Sequence, residues 1–196
     1  MPQKFDPAHM ARLESDERRR RQPPERLLAA IGAVPGTRLA DVGCGPGFYA
    51  IPAARLTGPT GRVYAMDLQP AMLARVRERA AAEGLGNLDA LASEESRLPL
   101  PDGAADVVLV ANVLHECADP PAFLREVRRI LAPGGRAAIV EWRKEPMDLG
   151  PPLEERMGED EVRSALRSAG FEEPAPIDAA ATGATHFGWV APAGPR

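Results

Sequence analysis

Apolar and polar positions along the chain switch repeatedly between two periods. Residues 38–42 form a short, mostly apolar run, as do residues 61–67, and residues 48–56 between them have helical character. Pro70 stands where a first helical residue would, and Leu73, Val76 and Ala80 keep one face apolar as far as Gly84. Residues 88–92 read as a weaker third strand. Residues 106–111 (Asp-Val-Val-Leu-Val-Ala) form a continuous apolar run, the pattern of a strand buried on both faces. Phe123, Val127 and Ile130 line a helix that stops at Pro133-Gly134-Gly135, and residues 136–142 give a fifth strand. Val162, Ala165, Leu166 and Ala169 mark a last helix closed by Gly170. Strand-like stretches follow near 171–177 and 184–191.

Strands that alternate with helices predict an α/β fold with helices on both faces of a mostly parallel sheet. Two successive strands at the end predict an antiparallel closing hairpin. Residues 6–32 read as a helical extension, with Asp6 as a cap and Gly32 as its end. The extension contains Arg18-Arg19-Arg20-Arg21. This run can serve an anionic partner. It can equally be a solvated face, because Glu14/Arg18, Asp16/Arg20 and Glu17/Arg21 fall at the favourable i,i+4 spacing. There is no internal repeat and no boundary. The expectation is one domain over 1–196, with a helical cap at 1–32, a core at 36–192 and a loop at 143–158.

Between the first strand and the first core helix lies Asp41-Val-Gly-Cys-Gly-Pro-Gly47, and the second strand ends at Asp67. Ligands of such sheets bind beyond the carboxyl ends of the strands. Glycines at 43, 45 and 47 let backbone N–H groups approach a ligand at a helix N-terminus. Asp67 is placed to accept hydrogen bonds from ribose hydroxyls. A dinucleotide fingerprint of the type Gly-x-Gly-x-x-Gly would need Gly or Ala at position 48, which is Phe48. A nucleoside triphosphate loop with its Gly-Lys-Ser/Thr ending is absent.

Composition narrows the picture little. The chain has 196 residues, 44% of them hydrophobic and 27% charged, with a net charge of −4 that argues against a nucleic-acid-binding surface. Two cysteines, Cys44 and Cys117, suggest neither a disulfide framework nor a structural zinc site, and no metal is expected. No run is long and apolar enough for a membrane span, and the N-terminus lacks a signal-peptide core, so the expected compartment is the cytoplasm.

The segment 41–47 resembles motif I of the class I S-adenosylmethionine-dependent methyltransferases. Met66-Asp67-Leu68 with Pro70 and Met72, Leu98–Gly103 followed by Asp106–Leu109, and Arg129–Arg136 resemble further segments of that family, in order, from about residue 36 to 192. The resemblance is to the small-molecule branch that includes the ubiquinone/menaquinone-biosynthesis type. Lys4–Pro7, Ser93–Glu95, Leu114–Glu116 and Gly150–Pro152 resemble a group of short bacterial and archaeal relatives. The resemblance implies a Rossmann-like, seven-stranded sheet with an antiparallel last strand. It implies S-adenosyl-L-methionine as cofactor, S-adenosyl-L-homocysteine as product, and a small-molecule acceptor methylated on O, N or C by a monomer or homodimer. Asp41 would sit near the ligand's ammonium group, while Gly43, Cys44 and Gly45 would contact its methionyl part. Asp67 would hold the ribose, with Met66 and Leu68 flanking the adenine. Glu94, or its neighbour Ser93 or Glu95, would face the adenine amino group, and Asn112 would line the methionyl pocket.

Methyl transfer from a sulfonium needs mainly alignment, and a base only where the acceptor carries a proton. The candidates are His115, whose ordinary pKa suits a base, and Glu141. His115 with Glu116 could instead only begin the next helix, and Glu141 could pair with an arginine. Phe48, Tyr49 and Trp142 read as packing or as an aromatic wall. Arg156 reads as an anion ligand or as a partner of Glu159 or Asp160. The acceptor pocket is expected from residues 5–30 and 143–158. Two further functions stay open on the sequence: a protein that binds the cofactor without methyl transfer, and a nicotinamide-dependent oxidoreductase.

Overall fold

A computed structural model describes residues 10–195. Asp6 and the segment Lys4–Pro7 lie outside the described residues. Seven strands form one sheet: β1 (Arg38–Val42), β2 (Arg62–Asp67), β3 (Leu88–Ala92), β4 (Ala105–Ala111), β5 (Leu131–Trp142), β6 (Ala175–Pro176) and β7 (His186–Pro192). Their order is β3-β2-β1-β4-β5-β7-β6. The first five pair in parallel, and β7 runs antiparallel to both β5 and β6.

The helices are α1 (Met10–Leu13), α2 (Asp16–Arg21), α3 (Pro24–Ala30), α4 (Ala50–Thr57), α5 (Pro70–Ala82), α6 (Pro120–Ile130), α7 (Glu159–Ser168) and α8 (Ala179–Thr182). The apolar run of β4 is explained by burial on both faces. Val108 and Val110 pack under α6 and α7, whose Leu124, Val127, Ile130, Val162 and Leu166 cover them. Val107 and Leu109 point the other way, into the layer made by Leu27 of α3, Ala53 of α4 and Val76 of α5.

One expectation is refined and two are corrected. Among the described residues the expected N-terminal helical extension is divided into three short helices, because the Ser15 hydroxyl caps a new start at Arg18 N–H and Pro23-Pro24 interrupts the backbone ladder. Strand β5 begins at Leu131, ahead of the Pro-Gly-Gly turn, and its pairing with β4 shifts register there. The closing unit is not a plain hairpin: α8, capped by Asp178 at the Ala180 N–H, intervenes between a two-residue β6 and β7.

The chain leaves β1 toward β2 and β3, then returns to place β4 on β1's other side. The crevice of such a sheet opens at the carboxyl ends of those central strands.

Candidate functional site

A cavity of about 650 Å³ occupies that crevice. One end is the glycine turn. The N–H groups of Gly43 and Cys44 both donate to the Met66 carbonyl of β2 (2.8 and 3.0 Å), which fixes the turn to the neighbouring strand. The Gly45 N–H donates to Asp67 Oδ2 and the Gln69 N–H to Asp67 Oδ1, each at 2.9 Å. The three turn N–H groups are therefore spent within the protein. These positions offer a ligand close approach rather than donated hydrogen bonds, a correction to the expectation from the glycine spacing. Gly43 has φ +72°, and a Cβ there would lie 2.3 Å from a Val113 methyl carbon, so no other residue fits without displacing the wall.

Two acceptor atoms at this end have no partner. Asp41 is 1% exposed, and its Oδ2 lacks a hydrogen bond, as does the buried Oδ1 of Asn112. Burial raises the Asp41 pKa to about 7, helped by the charge of Asp67 and opposed by the Ala50 N–H and Arg18. Burial also raises Asp67, against hydrogen bonds from the Gln69, Gly45 and Leu68 N–H groups. Asn112 holds the left-handed conformation (φ 59°), with its N–H on the Val140 carbonyl. Cys44 is buried, and burial with the nearby Asp41 and Asp67 charges raises its thiol pKa, so it is no thiolate nucleophile. Leu68 is exposed at the cavity edge, whereas Met66 is fully buried in the core and is not part of the cavity wall. Ser93, Glu94 and Glu95 all line the cavity, and Glu95 also accepts from the Ala118 N–H at 2.6 Å.

The other end is assembled from distant segments. His115 sits in a 3₁₀ turn beyond β4, and its Nδ1 lies 2.8 Å from Glu141 Oε2, while its own N–H donates to Oε1 at 3.3 Å. Glu141 is 1% exposed and stands behind His115, away from the cavity wall. Burial alone would lower the His115 pKa. The Glu141 hydrogen bond and charge, with Glu116 and Glu155, outweigh it and raise the pKa. Glu141 thus pairs with the histidine rather than with an arginine.

Trp142 ends β5 and packs 4.0 Å from the His186 ring, with Gly150 of the loop against its face. Phe48 meets Tyr49 edge to face at 4.9 Å. Arg156, expected as an anion ligand or as a partner of Glu159 or Asp160, is 4% exposed and pairs with neither carboxylate. Its guanidinium donates to the carbonyls of Pro151, Arg143, Glu145 and Leu149, tying the loop to itself. Gln22, Thr185 and His186 also line this end, while Arg18 lies between the two ends, within charge range of Asp41. Gln22, Thr185 and His186 carry no motif that singles them out. Arg18 is disguised by the i,i+4 pattern around it.

The profile of the methyltransferase domain family matches residues 40–139. The chain is 36% identical over 114 residues to a ubiquinone/menaquinone biosynthesis C-methyltransferase of Pseudomonas putida, covering 58% of this chain and 44% of that one. It is 32% identical over 136 residues to a demethylmenaquinone methyltransferase of Geobacillus kaustophilus, covering 68% and 58%. The chain thus spans about half the length of these curated relatives. A crystal structure of a SAM-dependent methyltransferase from Aquifex aeolicus superposes with a TM-score of 0.91 at 36% identity, covering 97% of this chain and 100% of that one. The matched profile runs from within β1 to within β5 and so takes in the glycine turn, Asp67, Asn112 and His115, but not Glu141 or Trp142. This chain belongs to the methyltransferase domain family.

Proposed function

We propose that the chain binds S-adenosylmethionine and catalyses transfer of its methyl group to a small molecule. The observation that carries this reading is the pair of carboxylates at the glycine turn. Asp41 offers a buried oxygen that lacks a partner, suited to an ammonium group. Asp67, oriented by two backbone N–H groups, keeps lone pairs for vicinal ribose hydroxyls. Leu68 forms an apolar wall for the base, Ser93 or Glu94 meets its amino group, and Asn112 completes the methionyl pocket beside Gly43, Cys44 and Gly45.

The cofactor, when bound, supplies a methyl group activated by a positively charged sulfur. The protein aligns the acceptor for in-line displacement, which is worth several kcal/mol (roughly 7–11 at best). Where the acceptor loses a proton, His115 Nε2 takes it. Glu141 fixes the ring through Nδ1 and stabilises the imidazolium that forms, as a positioning residue. That dyad, with His115 on the cavity wall and Glu141 behind it, favours an enzyme over a passive cofactor binder. Phe48, buried beneath Arg18 rather than replaced by glycine, disfavours a dinucleotide.

No helix among the described residues is long and apolar enough to cross a membrane. The proposal takes residues 1–32 as a cap over the 36–192 core in one domain. It places a monomer or homodimer in the cytoplasm and, from the net charge of −4, assigns no nucleic-acid partner. Calorimetric titration tests the reading: micromolar binding of S-adenosylhomocysteine and none of NAD is expected. Asp67→Ala should weaken the former about tenfold or more, two hydrogen bonds to a charged group being lost. Failure to bind S-adenosylhomocysteine overturns the proposal.

A further inference from the structure

Charge is divided at the carboxyl end of β5. Successive residues Glu141 and Trp142 face opposite sides of the sheet. Trp142 stacks with His186, and the charges that bear most on His186 are those of Arg18, Arg21, Arg143 and Arg156. Glu141 lies on the other side and holds His115 Nδ1. The charges that bear most on His115 are carboxylates: Glu141 itself, Glu116 of the same 3₁₀ turn, and Glu155. Glu155 ends a second 3₁₀ turn, Leu153–Glu155, and lines the cavity with Glu116. It makes no ion pair among the described residues. The cations of the loop and of the N-terminal helices have other partners. Arg143 reaches Glu159 at 3.5 Å, Lys144 reaches Glu161 at 2.9 Å, and Arg156 is committed to loop carbonyls. Arg18 stacks 4.0 Å over Phe48 within charge range of Asp41, and Arg21 faces Glu17 at 3.8 Å. Arg12 belongs to α1, whose Leu13 packs beside Gly45 at the glycine-turn end.

One atom on this acidic side is left open. The His115 side chain is 7% exposed and lines the cavity, and its one side-chain hydrogen bond among the described residues runs through Nδ1. Its Nε2 therefore waits for a partner supplied by a ligand. The candidate acceptors differ in how their charge changes there. A hydroxyl or a carbon acid gives up a proton to become an anion, which Glu116 and Glu155 oppose. Its charge then falls to zero on methylation. An ammonium gives up a proton to become a neutral amine, and its nitrogen gains positive charge as the methyl arrives. Carboxylates fixed beside the reacting atom oppose the first course. They favour the second twice, by binding the cation and by stabilising the charge that develops on nitrogen.

We propose, resting on the methyl-transfer reading, that the acceptor is a small primary or secondary amine, held as its ammonium ion by Glu155 and Glu116 with its nitrogen facing His115 Nε2. The ammonium N–H bond breaks and Nε2 takes the proton. The freed lone pair forms the bond to the methyl carbon, and the electron pair of the broken carbon–sulfur bond stays on sulfur. The products are an N-methylammonium ion and S-adenosylhomocysteine, and the imidazolium returns its proton to solvent. Phe123, Leu98 and Pro151 give the amine an apolar wall in the same cavity. The volume limits its size: about 650 Å³ is ordinary for one drug-sized ligand, yet here cofactor and acceptor share it.

The full chain, saturated with S-adenosylhomocysteine at pH 7, is titrated with benzylamine, benzyl alcohol and benzoate, and the titrations are repeated without cofactor. Benzylamine, a cation at that pH, should bind about tenfold or more tightly than benzyl alcohol, as charge-assisted hydrogen bonds require, and benzoate should bind most weakly. Glu155→Gln should weaken benzylamine several-fold and leave benzyl alcohol unchanged, a split that a merely structural role would not give. Glu155→Asp should keep part of the preference. Should Glu155→Gln melt early, Glu116→Gln serves instead with the same expected split. Benzyl alcohol or benzoate bound as tightly as benzylamine, no binding of benzylamine, or a preference that survives both substitutions overturns the amine class and leaves the methyl-transfer reading standing. A benzylamine preference in a chain that fails to take up S-adenosylhomocysteine would leave an ammonium site but overturn both the methyl-transfer reading and the acceptor role.

Discussion

The two ends of the cavity are built by opposite means. At the glycine turn, residues within one β-α-β unit do the work: β1, β2 and the turn between β1 and α4 supply Asp41, Gly43, Gly45 and Asp67, and backbone hydrogen bonds lock them. At the other end, side chains from the 3₁₀ turn after β4, the end of β5, the 143–156 loop and the approach to β7 converge, with α2 spanning the two ends. The first end depends on local chain geometry. The second depends on long side chains held by burial and by ion pairs across the fold. Cofactor binding and acceptor chemistry should therefore be separable by mutation.

The largest effect expected is on His115. His115→Gln should lower turnover by about a hundredfold or more with an acceptor that loses a proton, the usual contribution of a positioned base. Its affinity for S-adenosylhomocysteine should stay within about twofold, since the imidazole does not belong to the glycine-turn end. A matching loss of cofactor affinity would show that the two ends act as one unit. Glu141→Gln should reproduce part of the turnover loss and move the pH profile, because the raised His115 pKa depends on that carboxylate.

Arg156 tests whether the acceptor end needs a staple that the glycine turn does without. Arg156→Met leaves four loop carbonyls without their donor in a residue 4% exposed, at a cost of about 3 kcal/mol. For a chain of this length that lowers the melting temperature by roughly 6–12 °C. At a temperature where the variant is folded, the acceptor KM should rise while S-adenosylhomocysteine affinity holds. An unchanged melting temperature would remove Arg156 from its structural role.

This division also explains what could be read in the sequence. The strands β1, β2, β3 and β4 and the glycine turn follow from short-range pattern, and their limits agree with the observed ones to about a residue. Asp41 and Asp67 follow from the same short-range spacing. Where distant packing decides, the sequence is silent or misleading. Glu14 at i−4 implies a surface pair with Arg18, yet α5 competes for Glu14 with two arginines and leaves Arg18 to turn inward. Arg156 lies four residues before Asp160, but burial directs it to carbonyls nearer at hand. Gln22 and His186 matter only because chain segments about 160 residues apart meet at one wall, which no local period records. The turn N–H groups are a subtler case. Their spacing suggests donors for a ligand, but the Met66 carbonyl and Asp67 claim them first.

The smallest expected effect is a proton count at the glycine-turn end. Without ligand, Asp41 titrates at about 7, mainly because burial penalises its charge. A cation placed against it favours the ionised form. Below pH 7, binding of a ligand with an ammonium group must therefore release a proton from Asp41, and affinity falls as pH falls. With the free-protein pKa near 7, affinity for S-adenosylhomocysteine should drop about tenfold between pH 8 and pH 6. The sign for stability is opposite. A carboxylate raised above its unfolded value destabilises the folded chain as pH rises from about 4 to 7, so the free protein loses stability over the range in which it gains ligand affinity. Calorimetry in buffers of different ionisation enthalpy measures the released proton directly. Asp41→Asn should bind more weakly at pH 8 and lose the pH dependence. A pH dependence that persists in Asp41→Asn would assign the proton elsewhere, with Asp67, the other raised carboxylate of that turn, as the next to test.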